Sequence, residues 1–180
     1  QNIKLTSDSK SLIIMEVLDL IKSLAAATRA WRENTLQELQ AEGCDLSYRP
    51  GTGMSAFGWI LAHQAAAYDY ILNMLIKGNE PKNPDLFYQY RGDSTDPGDW
   101  TGTSLEEIED YYDSVEQDFL TYFGKASKEE LSRTLDGNDI PQYFLGMSVI
   151  DAIADMFAHM NHHNGHLSAI RRDWCSKEKE

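Results

Sequence analysis

Four of the five histidines in this chain fall within one short stretch: His159, His162, His163 and His166. The fifth, His63, stands far upstream. His159 and His163 are four residues apart, so on a helix they stack on one face with Cβ atoms about 5–6 Å apart. Two imidazoles placed that way can both reach a single divalent ion at about 2.0–2.1 Å. A third ligand has to come from another helix, and His63 is the histidine that remains. Trp59, Ile60, Ala66, Ala67 and Tyr70 occupy the turns around it. That face is apolar and points inward, and its two alanines leave room for an ion and a substrate. Three neutral imidazoles with an open position describe a catalytic metal site rather than a closed structural one.

A lone buried histidine is more often a hydrogen-bonded core residue than a ligand, so His63 by itself carries nothing. The pair carries the reading, because it lies inside an apolar helical pattern of Ile153, Met156, Phe157, Met160, Leu167 and Ile170. His162 points well away from the pair and reads as structural or as a support behind the ligands. His166, one turn on, reads as a fourth ligand, a proton carrier or a surface residue. Asp155, one turn before His159, is placed to orient a ligand imidazole. Competing chemistry lacks its residues. Glu-x-x-His, His-Glu-x-x-His, Cys-x-x-Cys-His and Gly-x-Ser-x-Gly do not occur, which leaves no di-iron carboxylate pattern and no nucleophile elbow. Gly51-Thr-Gly53 lacks the rest of either glycine fingerprint.

Four long helices must hold these residues. Ser7, Asp8 and Ser9 offer N-caps for the first, which carries Leu12, Met15, Leu20, Ile21, Leu24 and Trp31 and runs to about residue 42, with Gly43 as its stop. Pro50, Gly51 and Gly53 mark a loop. Ser55 caps the second helix, which runs to about Lys77 and is apolar nearly all round. Residues 79–103 read as a long irregular segment, rich in proline and glycine, whose aromatic residues pack on the body. Ser104 to Glu107 is a capping box that opens the third helix, to about Phe123. Ser127 to Arg133 is a turn or two, and 135–147 a loop with room for a short strand pair. Ser148 and Asp151 cap the fourth helix, to about Trp174. The expected fold is all-α: a single domain over residues 1–180, a four-helix bundle of up-down type with a long loop between helices two and three.

Composition narrows the partners. With 180 residues, 42% of them hydrophobic, the chain can bury a substantial core. Sixteen Lys and Arg against 29 Asp and Glu give a net charge of −13. Nucleic acid and anionic membrane surfaces are therefore poor partners, since both bind through basic side chains. The acid concentrates between Asp85 and Asp118, where 11 carboxylates face one arginine. The two cysteines, Cys44 and Cys175, form no framework, and the visible N-terminus lacks the pattern of a signal peptide. No apolar run is long enough to span a bilayer. A cytoplasmic location is the expectation.

The stretch Ser55-Ala-Phe-Gly-Trp-Ile-Leu-Ala-His63 resembles the second-helix motif of the DinB/YfiT-like superfamily, in which a Ser, a Trp, a Leu and a His recur at this spacing. His159-Met-Asn-His-His163-Asn-Gly-His-Leu167, followed by Arg171, resembles its last-helix motif, and Arg49-Pro50-Gly51 the loop before the second helix. Carried over, the family's metal triad falls on His63, His159 and His163, the same three residues that spacing selects. The resemblance implies a four-helix bundle, often a homodimer, that holds a divalent metal: zinc or nickel first, iron or manganese next. It also implies a low-molecular-weight thiol cosubstrate, since relatives include transferases and isomerases that use mycothiol, bacillithiol or glutathione. Two positions depart from the pattern. His166 replaces the usual Gln, and Asn164 stands where Arg or another polar residue is common.

Two functions of different kinds follow as expectations. One is a metal-dependent enzyme, a thiol-dependent transferase or a hydrolase acting on a small molecule. The other is a non-catalytic, stress-associated dimeric bundle stabilised by its metal. A homodimer is expected independently, because the second and fourth helices are too apolar to be covered by two other helices alone; the alternative is that the 79–103 segment covers them within one chain.

Overall fold

The computed structural model describes residues 7–92 and 99–177, with side chains from residue 17 onward. Leu12, Met15, Asp93, Asp96 and Pro97 are thus outside the residues whose side chains are described. Four long helices form the bundle. α1 is Ser7–Ala41, α2 is Phe57–Asp69 and continues as a π-helical segment over Tyr70–Ile76, α4 is Leu105–Phe123 and α6 is Val149–Lys177. Two short helices join them: α3, Pro84–Tyr90, and α5, Lys128–Ser132. α2 lies at the centre, against α3, α4 and α6, while α1 packs along α6. Among the described residues the expected strand pair is reduced to one antiparallel bridge, Thr134 with Ser148.

The ends of the helices follow local chemistry. At Ser104 the hydroxyl accepts from the Glu107 amide while the Glu107 carboxylate reaches back to the Ser104 amide, the full capping box. The start of α2 differs from expectation. Its N-cap is Ala56, with no side-chain bond, and the orphan amides of Phe57 and Gly58 donate instead to the Tyr48 and Leu46 carbonyls at 2.9 and 2.8 Å. The preceding loop therefore does what a Ser hydroxyl would have done.

The inward face of α1 also differs. Leu20, Leu24 and Trp31 are 58%, 37% and 44% exposed. The stripe that turns inward is Ile21, Ala25, Thr28, Arg32, Thr35, Leu36 and Leu39, three of the seven polar. Arg32, almost fully buried, lies 4.0 Å from the Tyr112 ring centre and donates to Glu109 at 2.5 and 3.0 Å. Arg29 bonds Glu116, Asp113 and Glu33. Paired charges across α1 and α4 outweigh the apolar count, because an unpaired one buried there would cost several kcal/mol, on the order of 3–5.

Residues 79–103 are not irregular throughout. Asn83 accepts from the Leu86 amide at 3.2 Å, Pro84 takes the first helical position and Asp85 sits in the first turn of α3. Phe87 and Tyr90 are buried against α2. With α4, this segment covers α2 within one chain.

Candidate metal centre

His63 sits mid-way along α2, with every residue from Ala56 to Ala66 buried. Its Nδ1 lies 2.7 Å from the Tyr90 carbonyl. A carbonyl only accepts, so Nδ1 carries the proton and Nε2 presents its lone pair. That lone pair faces Nε2 of His159 at 2.9 Å. Trp59 stacks on the His63 ring at 4.5 Å, nearly parallel. On α6, His163 is buried and His159 is exposed toward a cavity. One ring nitrogen from each of His63, His159 and His163 lies within 4.8 Å of the others. Two nitrogens bound to one tetrahedral ion at 2.0–2.1 Å stand about 3.4 Å apart, so small ring rotations suffice.

The donor set fits a divalent cation. The His163 Nδ1 is buried without a hydrogen-bond partner, an unsatisfied state rare inside proteins. Burial, followed by the neighbouring imidazoles, pushes His163 down to about 2. Burial pushes His63 down to about 4, against a rise from the Tyr90 carbonyl bond. His159 is lowered by burial and by His162. Neutral imidazoles are the ligand form at neutral pH. Among the described residues no fourth His, Cys, Asp or Glu joins the cluster.

The other residues singled out by spacing fall into place differently. His166 is half-buried and turns its ring toward His162, 4.2 Å away, instead of completing the triad. His162 lines the cavity. Asp155 lines it too, but accepts from the Tyr143 hydroxyl at 2.7 Å rather than from an imidazole. The residue that orients His63 is Tyr90, through its backbone, and a carbonyl leaves no trace in residue type. Tyr90 is fully buried, its hydroxyl bonded to Thr101 and Thr103, its ring stacked near Trp100. Gly92 follows at φ +67°, where a Cβ would come within 2.9 Å of Trp59 and 3.3 Å of His63. The chain leaving α3 is thus pressed against the site.

Gln64 and Asn164, both fully buried, set the rotation of α6. The Gln64 amide donates to the Met160 carbonyl at 3.2 Å and to Asn164 at 2.9 Å. Asn164 in turn donates to the Thr28 carbonyl of α1 at 3.0 Å. These neighbours of His63 and His163 lock three helices together and keep the histidines opposed.

A cavity of about 690 Å³ opens beside the triad. Ala66 and Ala67 line it as expected, with Tyr70, Ile71 and Met74 from the π-helical turns. The widened turn, marked by Lys77 N donating to Leu72 O at 3.1 Å, brings these residues onto the cavity side.

The depressed pKa of His63 has a measurable consequence in metal-free protein. The unfolded imidazole titrates near 6.5, while the folded one stays neutral to about 4. Stability is therefore intact above pH 6.5 and is lost as pH falls toward 4, because only the unfolded chain takes up the proton. At pH 5 the loss from His63 amounts to about 2 kcal/mol. Urea unfolding with a chelator at pH 7.5 and 5 should show that His63→Ala is less acid-sensitive by this amount. Equal acid sensitivity in the two proteins rejects the assignment.

The chain's similarities point the same way. Among curated proteins none matches it. A crystal structure of a conserved protein from Enterococcus faecalis is similar over 92% of this chain and 97% of its own, with a TM-score of 0.54 and 16% identity, a likeness of fold alone. The pattern of the DinB superfamily matches residues 16–167, a span that holds all three histidines, the whole of α2 and α4 and most of α1 and α6. On that match, and with a helical bundle that brings the same histidines together, the chain belongs to the DinB superfamily.

Proposed function

We propose that the chain is a metal-dependent enzyme acting on a small molecule, with one divalent ion held by His63, His159 and His163. The observation that supports it is the combination of three converging imidazole nitrogens, no fourth protein donor among the described residues, and a cavity that reaches His63 and His159. All-imidazole donors favour zinc or nickel over iron and, still more, manganese. Bound there, the ion would lower the pKa of a coordinated thiol or water. The chain's own residues do the rest. Tyr90 fixes the tautomer of His63, Gln64 and Asn164 hold α6 in register, and the largely apolar cavity walls surround the reacting end. A low-molecular-weight thiol as cosubstrate, and hence transferase over hydrolase chemistry, comes from the family resemblance. Cys44 and Cys175 are unbridged, in keeping with a reducing, cytoplasmic setting. Among the described residues no helix is long and apolar enough to cross a membrane.

One observation favours a second reading. The triad joins α2 to α6, so the ion would also clamp the two helices, as in a non-catalytic, metal-stabilised bundle. Cobalt-substituted protein separates the two. An open position predicts that added azide or glutathione changes the visible spectrum, whereas a spectrum indifferent to both would leave only the clamp. A homodimer belongs to either reading. Its support is the exposed row of Leu20, Leu24 and Trp31 on α1, and sedimentation showing only a 20.4 kDa species would reject it.

A further inference from the structure

The cavity beside the triad carries one cationic side chain that the rest of the chain does not use. Arg29, Arg32, Arg49, Arg133 and Arg171 each bond a carboxylate. Arg91 lines the cavity and has no carboxylate partner among the described residues; its guanidinium instead rests 5.3 Å from the Tyr88 ring centre. Arg172 also has no carboxylate partner among the described residues, but it lines a separate groove beside Arg171 and Cys175, which leaves Arg91 as the unpaired guanidinium at this cavity. The cavity's one described carboxylate, Asp155, is engaged by Tyr143.

The placement of Arg91 is tied to the histidines. It stands between Tyr90, whose carbonyl holds His63, and Gly92, which abuts the His63 ring. One turn earlier on the same face of α3 is Phe87, buried and also lining the cavity. Tyr70, Met74, Phe144 and Met156 complete an apolar wall. A cavity of about 690 Å³ accommodates a compact organic molecule.

We propose that Arg91 is the anion-binding residue of this cavity, and that its ligands are small amphiphiles with an apolar or aromatic body and a single carboxylate. The planar guanidinium matches a carboxylate with two parallel hydrogen bonds, while the apolar wall takes the body. A single negative charge is selected because the acidic chain repels polyanions at long range. The carboxylate, anchored on the chain segment that adjoins His63, sets which end of the ligand meets the triad. This proposal rests on the metal-enzyme reading only in giving the triad a reacting role, and the binding itself does not require the ion.

Phenylbutyrate and phenylbutanamide, matched in shape and different in charge, test it. Their binding is measured by calorimetry on metal-loaded wild type, on Arg91→Gln, on Arg91→Lys and on chelated His159→Ala. Wild type should prefer the carboxylate by about tenfold, as a charge-assisted pair affords. The preference should fall to within about twofold in Arg91→Gln and be intermediate in Arg91→Lys. It should persist in chelated His159→Ala. A preference kept in Arg91→Gln but lost in chelated His159→Ala would assign the carboxylate to the metal, overturning this proposal and supporting the metal reading. An Arg91-dependent preference in a protein that never takes up metal would do the reverse. If neither compound binds wild type, the ligand class is wrong.

Discussion

Alanine in place of His63, His159 or His163 is expected to strip the protein of its divalent metal. Each side chain supplies one of three nitrogens that lie within 4.8 Å of one another. With two ligands left, no fourth donor among the described residues can take over. His162→Ala should keep its metal, because His162 lies on the cavity wall outside the cluster and its ring meets His163 and His166 edgewise. Elemental analysis after dialysis reads the result directly. Full occupancy in all three triad variants would show that the site is elsewhere. Loss in His162→Ala as well would mean that the stripe of four histidines acts as a single unit. The same preparations identify the ion.

The second large effect is expected at Asp69, which makes no contact with the triad. This fully buried carboxylate accepts four hydrogen bonds: from Asn73 at 2.7 Å, the Lys82 amide at 2.9 Å, the Asn83 amide at 3.3 Å and the Tyr111 hydroxyl at 2.6 Å. It lies at the junction of α2 and its π-helical segment and ties the start of α3 to both. Asp69→Ala strands the Asn73 side-chain amide and the Tyr111 hydroxyl in the interior and frees the part-buried amides of Lys82 and Asn83. The cost should be roughly 3–5 kcal/mol, since the two buried donors forfeit their bonds without regaining water and the start of α3 loses its tie to α2. For a chain of this size that lowers Tm by roughly 10 °C. Because α3 carries the Tyr90 carbonyl, metal affinity should fall too, although no ligand is altered. A thermal melt within 2–3 °C of wild type, by calorimetry, would show that the hub is not holding the segment (a shift of about 1 kcal/mol or less).

How much of this was legible in the chain depends on the range of the interactions involved. The triad was legible, because the i, i+4 spacing of His159 and His163 is a property of the helix and His63 was the one histidine left. The long helices, the capping box at Ser104 and the N-cap at Ser127 were legible for the same reason: propensity, periodicity and caps act within a few residues. α3 was announced by Asn83-Pro84-Asp85, a cap, a first-turn proline and an acidic first turn, although the proline and glycine content around it reads as loop.

Tertiary structure decided the rest. Which face of α1 turns inward depended on Glu109 and Glu116 waiting across the interface for Arg32 and Arg29, so Leu20, Leu24 and Trp31 were left outside. No periodicity count within α1 contains that information. The tautomer of His63 depended on a backbone carbonyl from another helix, and a carbonyl is carried by every residue type. The cavity wall depended on a π-helical turn that re-phases Tyr70, Ile71 and Met74, held beside a carboxylate whose partners lie on three other segments. Spacing along one helix is local geometry and survives in the sequence. Charge pairing, backbone hydrogen bonds between segments and the shape of a cavity are relations between distant residues, and they exist only once the chain has folded.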